Sequence, residues 1–346
     1  MRGAALTLAA LAGLVLAGPA AAAGIKTIHD WTGVCDNVGD CTAFGFSPEG
    51  ADNDAYVILR RAAGPAGSPT LEIVFGATDK ETDQTFRVEV DHKPVAGLGA
   101  VRAQGGENGA RATLGGAQAG ALIAAMKNGG ELELVSGGQD LVGVSLAGSA
   151  GMLVWIDDQQ GRLGTVTALG KPGAKPASAV PPSAAVPVVA VAPPASQAGV
   201  PEHAPKGMTR GIEDCDNAST EPDDTIARLA PGVMLWAPEC SMAAYNMSTA
   251  VFVGDERGRS VKRVFLPAPP GSDQKGGYGI IVNAEFDPKT QTLSQFDKGR
   301  GVGDCGVDDK WVWDGKAFQL LRETIMPECR GLLPDDWPAL YVARRR

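Results

Sequence analysis

With 346 residues and a formal net charge of −9, the chain has room for two ordinary domains and is too acidic to grip nucleic acid or an anionic membrane surface, both of which demand a basic face. Its three histidines leave little for a triad or a multi-histidine metal site, since His203 falls in a proline-rich stretch and only His29 and His92 remain. No G-x-S-x-G, H-E-x-x-H or P-loop pattern occurs, so no catalytic residue, cofactor or metal is assigned from motifs.

Arg2 precedes an apolar run from Gly3 to Gly18, then Pro19 and the small residues Ala20 to Ala23. That is the pattern of a secretory signal peptide over residues 1–23. The run falls short of the ~20 residues that cross a bilayer, and no later stretch is long enough either. The mature chain is expected to begin near Gly24 or Ile25 and to fold in a periplasm or outside the cell. In such an oxidising compartment disulfides are the default for Cys35, Cys41, Cys215, Cys240, Cys305 and Cys329, none of which forms a C-x-x-C pair. Their distribution keeps bridges within each half. The reading adopted joins 35 to 41, 215 to 240 and 305 to 329, one of the three pairings open to the later four. On chain entropy the first contributes roughly 2 kcal/mol and each of the others about 3.5 kcal/mol.

Residues 24–170 read as a β-rich domain with two short helices. Tyr56 to Arg60, Leu71 to Phe75 and Phe86 to Val90 are strand-like runs between turn residues. The Gly-rich stretch Gly97 to Gly116 reads as a flexible loop. Leu122, Ile123 and Met126 then share a helical face, with a stop and a left-handed cap expected at Asn128 to Gly130. Strands follow at Glu131 to Val135 and Leu141 to Leu146. A second helix, capped by Ser149 and turning Met152, Trp155 and Ile156 inward, ends at Gly161.

Residues 171–205, rich in proline, alanine and valine, read as a semi-extended linker that holds two domains apart, because proline removes the ladder donors a sheet needs. Residues 206–346 read as an all-antiparallel-β domain. Strands are expected at Val233 to Trp236, Tyr245 to Val253, Ser260 to Leu266, Tyr278 to Phe286 and Gln291 to Asp297, the last two joined through Asp287 to Thr290. Asp314-Gly315 reads as a two-residue type I′ turn that sets Trp311 opposite Phe318 and Trp313 opposite Lys316.

Asp30-Trp31 before the Cys35 and Cys41 pair, SLAGSAGMLVWIDDQQGRLGT at 145 to 165 and KGRGVGDCGVDDKWVWDGKAF at 298 to 318 together resemble the exported bacterial family called domain of unknown function 1176. The helix ALIAAMKNG with strands ELELV and LVGVSL is similar to the end of the invasion-associated locus B family. That likeness implies a β-sandwich or barrel with two helices in an envelope protein. Neither resemblance supplies a catalytic or binding residue.

Candidate sites therefore rest on residue chemistry. Trp311 and Trp313 share a strand face, which suits either a stacking platform for sugar rings or core packing. Arg300, before the GDCG turn, could bind an anion or stand as a surface arginine. Asp304, Asp308, Asp309 and Asp314 could ligate calcium or serve as solvated turn carboxylates, and Glu213, Asp214 and Asp216 form a second such cluster. Cys305 beside Asp304 reads as a disulfide half, since a neighbouring carboxylate raises a thiol pKa when activation needs the reverse. The expected function is a non-enzymatic envelope module binding a protein or glycan. Two alternatives are an inhibitor of a lysozyme or protease, and a carboxylate-based hydrolase around Asp304 and Asp308.

Overall fold

The computed structural model describes residues 23–48, 55–76, 83–106, 109–213, 215 and 222–346. The expected signal segment lies outside them except for Ala23, as do Asp214 and Asp216. The described chain is mainly β, and its sheets are open and predominantly antiparallel, so the barrel-like alternative does not hold.

Six strands make the first sheet: β1 Gly24–Ile28, β2 Trp31–Cys35, β3 Cys41–Phe46, β4 Ala55–Arg61, β5 Pro69–Phe75 and β9 Ala110–Leu114. The second contains β6 Gln84–Val90, β7 Lys93–Pro94, β8 Ala100–Ala103, β10 Glu131–Ser136 and β11 Gln139–Ser145. The stretch expected as a flexible Gly-rich loop thus contains β8 and β9, because Val101, Ala103, Ala110, Ala112 and Leu114 alternate into the core. Both sheets and two helices, α1 Gly116–Met126 and α2 Ser149–Gln159, share one apolar core. Trp31 is among its largest fully buried side chains. Its indole nitrogen donates to the Ser145 carbonyl at 2.9 Å and so joins the sheets. Gly45 gives the ring its room, since a Cβ there would lie 2.5 Å from the indole.

Two helix ends differ from expectation. Helix α1 is followed by Lys127 in right-handed conformation, and Asn128 to Gly130 take no positive φ. Gly129 is needed for space instead, because a Cβ would stand 2.2 Å from the Val90 side chain. Ser149 is the first helical residue of α2, not its cap; left-handed Gly148 precedes it, and the Ser149 hydroxyl donates to the Met126 carbonyl. Met152 and Ile156 are buried, Trp155 is half-buried, and Gly161 with φ +63° follows the helix.

The expected linker is not a free spacer. Its Val188–Val189 (β12) pairs in parallel with Arg344–Arg345 (β25), the exception to the all-antiparallel expectation. Ser183 and Ala184 donate to the Val38 carbonyl, Ala192 donates to the Trp313 carbonyl, and the Gln197 amide binds both backbone groups of Arg228. Each partner lies in the first or the second half, so the segment straps both. Pro187 is tolerated because it takes part only as an acceptor, its carbonyl receiving Arg344 N at 2.9 Å, so the N–H it lacks is not needed.

The second half contains β13 Thr225–Ala230, β14 Val233–Ala237, β17 Phe252–Gly254 and β18 Lys262–Arg263 in one sheet, and β15 Glu239–Met242, β16 Met247–Ala250 and β19 Ile280–Val282 in another. A five-stranded sheet runs β20 Glu285–Asp287, β21 Thr292–Lys298, β22 Gly306–Trp313, β23 Phe318–Met326 and β24 Ala339–Val342. The long strand expected at Tyr278 to Phe286 is broken at Asn283, whose φ is +49° and whose side chain accepts from Met247 N. The one expected at Tyr245 to Val253 divides into β16 and β17, and Ser260 to Leu266 keeps only β18 and a bridge from Leu266 to Tyr278. The β22–β23 register also differs: Trp313 faces Phe318 and Trp311 faces Leu320. Asp314 is the cause. Its carboxylate accepts the amides of Lys316 and Ala317 at 2.8 Å each, which closes a four-residue connection in place of the two-residue turn.

The halves touch extensively. Phe44, Phe46, Tyr56, Ile58 and Val74 on the outer face of the first sheet pack with Met326, Leu332 and Trp337. Asp336 completes the contact, accepting from Tyr56 and Arg111 and pairing with Arg60, while Asn37 exchanges two hydrogen bonds with the Val342 backbone. The disulfides join Cys35 to Cys41, Cys215 to Cys240 and Cys305 to Cys329.

Candidate interaction surface

Strands β21 and β22 are joined by Gly299 to Cys305, the GRGVGDC segment. Strong hydrophobic anchors, Leu293 and Trp311, register the two strands, and the connection must then reverse within seven residues. Glycine makes that possible at two points. Gly303 has φ +70°, and Gly306 has φ +132° with a would-be Cβ 1.9 Å from the Asp297 carbonyl oxygen.

Five interactions hold the turn. Gly299 N donates to the Cys305 carbonyl at 2.8 Å, and Gly303 N donates to the Arg300 carbonyl at 2.9 Å. The Arg300 guanidinium grips Asp304 with two donors, Nε to Oδ1 at 2.6 Å and Nη2 to Oδ2. Asp304 Oδ2 also accepts from Gly331 N at 2.7 Å, and Cys305 is bonded to Cys329, so the turn is tied twice to the segment after β23. The Arg300 hydrogen bond holds the buried Asp304 carboxyl below the usual range.

A second turn lies against the first. Ala243 to Asn246 closes the β15–β16 hairpin, and the Asn246 amide donates to Asp297 and to the Lys298 carbonyl. Tyr245 lies along Gly301, its hydroxyl 3.4 Å from the Gly299 carbonyl oxygen. Together these turns expose Met242, Tyr245 and Val302. Val302, at the tip, is 76 % exposed, the most among the exposed large apolar side chains of the described residues. An apolar side chain carried outward on a preorganised turn is a feature of binding surfaces.

The other sequence candidates fare differently. Trp311 and Trp313 are buried at 0 % and 4 % exposure, so they form no sugar platform. Trp311 donates to the Pro267 carbonyl and meets Tyr278 edge-on, and Trp313 meets Phe318 in the same way. With few aromatics to fill an all-β core, both indoles are drawn inside. Asp304, Asp308, Asp309 and Asp314 do not converge: Asp304 is held by Arg300, Asp308 pairs with Lys310, Asp309 is wholly buried and Asp314 caps its loop. Among the described residues no group of three or more His, Cys, Asp or Glu stands together in a way that could hold a metal ion. An Asp304 kept ionised beside Arg300 is also a poor general acid near neutral pH. Sequence reasoning missed Tyr245, Met242 and Val302, because exposure at a turn carries no periodic signal.

The sequence profile described as protein of unknown function DUF1176 matches residues 25–344. An uncharacterized protein, YpfG, of Escherichia coli strain K12 is 28 % identical over 352 aligned residues, which cover 96 % of this chain and 95 % of that protein. No solved structure matches the chain.

Proposed function

We propose that this chain, which belongs to the DUF1176 family of proteins of unknown function, is an exported, non-enzymatic binding module that presents the Gly299 to Cys305 turn to a protein partner in the cell envelope. The observation that carries the reading is Val302, 76 % exposed at the tip of a turn pinned by the Arg300–Asp304 pair and the Cys305–Cys329 disulfide. Preorganisation of this kind lowers the ordering cost of association. Three disulfides fit an oxidising compartment. No helix among the described residues is long and apolar enough to cross a membrane.

A photo-crosslinking amino acid at Val302, introduced into the tagged protein in cells, is expected to give one discrete protein adduct that a probe at Val154, on the far half, does not give. Val302→Asp should abolish that partner's binding and leave the circular dichroism spectrum unchanged. Identical adducts from both positions, or full binding by Val302→Asp, would remove the reading. The same rigid, protruding turn favours one specific version, inhibition of a lysozyme or protease by insertion into its cleft. That version expects stoichiometric inhibition by the purified protein, lost in Val302→Asp.

A further inference from the structure

One polar row crosses the core face of the five-stranded sheet: Gln295 on β21 faces Asp309 on β22, which faces Glu323 on β23, which faces Tyr341 on β24. Asp309 is 0 % exposed and Glu323 3 %. The donors around them are accounted for. Gln295 Oε1 accepts from Val282 N at 3.1 Å, which orients the amide so that Nε2 must donate to Asp309 Oδ2. The Tyr278 hydroxyl, its ring packed on Trp311, donates to Glu323 Oε2 at 3.0 Å. Asp309 Oδ1 is buried with no N–H or O–H donor from any other group.

We propose that Asp309 and Glu323 share a single proton, donated across the strands from one carboxyl to the other, and that this proton is a latch holding β22 to β23. Two carboxylates placed opposite each other in a dry core cannot both be ionised without a cation, and the surroundings offer none. Tyr278 and Gln295 are neutral. Asp297, Asp308 and Tyr341 are the other acidic groups on the packed strands, and the first two would only add negative charge; Lys298, at the end of β21, lies over the Phe296 ring. Lys310 pairs with Asp308, and Arg322 acts on that same carboxyl. Burial first, and then the Glu323 charge, push the Asp309 carboxyl up to about 9; burial also raises Glu323.

The sign follows. A carboxyl that keeps its proton in the folded state up to about 9, and loses it near 3.9 when unfolded, makes the folded protein less stable as pH rises through that window. Asp309→Asn supplies the donated hydrogen permanently, through its amide, and removes the dependence.

Two measurements test the latch on the full chain, and neither involves a binding partner. First, the urea midpoint of Asp309→Asn minus that of the wild type is expected to grow steadily as pH rises from about 4 to about 9; a constant difference would overturn the latch. Second, infrared spectra of the wild type at about pH 8, where an exposed carboxyl is ionised and Asp36, raised to about 6, has also lost its proton, should retain a protonated-carboxyl stretch that disappears at higher pH. Its absence at about pH 8 overturns the proposal even where the variant fails to fold. Glu323→Gln should remove the same band.

Discussion

Asp157 shows how far a single side chain can reach in this protein. It lies at the end of α2, wholly buried, and accepts from Arg61 at 3.2 Å, from Leu169 N at 2.9 Å and from Gly170 N at 2.8 Å. Arg61 is equally buried, and desolvation lowers its guanidinium to about 10. Removing the carboxylate leaves an unpaired cation in the core. Asp157→Ala should therefore cost ~3–5 kcal/mol in urea unfolding, and Asp157→Asn less, since it keeps an acceptor for one of the two amides. The sequence shows an acidic residue near a helix end and no more, because the partner that makes it indispensable lies 96 residues away in the chain. The same limit governs Trp311 and Trp313. Period-2 alternation puts them on one face, but which face is covered depends on strands elsewhere.

At the scale of elements, legibility tracks how local the determinant is. Strand β5, β6 and α1 lie close to where their apolar patterns place them. The β22–β23 hairpin does not, because an Asp-Gly pair serves two loop geometries and the Asp314 carboxylate selects the longer. The β21–β22 turn is the element on which the binding reading depends, and its disulfide is its strongest restraint. Replacing Cys305 and Cys329 together by serine should lower stability by about 3.5 kcal/mol. It should also weaken partner binding more than Val154→Asp does, measured as dissociation constants for the crosslinked partner. Unchanged affinity in the double variant would show that the turn needs no preorganisation.

For the whole molecule, the decisive feature is that the two halves are packed together, with the proline-rich segment strapped across both. The sequence shows only that something must cover the first sheet on both sides. The runs AFGF at 43–46 and YVIL at 56–59 are apolar at every position, so both faces of their sheet require cover. Alternate residues serve different cores: Val57 and Leu59 face the first-half core, and Tyr56 and Ile58 face Trp337 and Leu332. Trp337→Ala should then cost about 3–5 kcal/mol and change the form of unfolding. Differential scanning calorimetry of the wild type should show one transition, and the variant two, as the halves uncouple. A single transition in both would mean that other contacts, such as the Asp336 cluster and the strap, suffice.

Composition and local pattern alone determined the β class, the two helices, the half-by-half placement of cysteines and the absence of a known catalytic signature, since each follows from neighbouring residues or simple counts. Tertiary structure alone decided that the halves meet, that the indoles are interior, that Val302 and Tyr245 share an exposed patch, and that Asp309 faces Glu323. Those outcomes depend on strand register and on sheet covering. Both are settled by residues far apart in the chain, where a shift of one position sends every side chain to the opposite face.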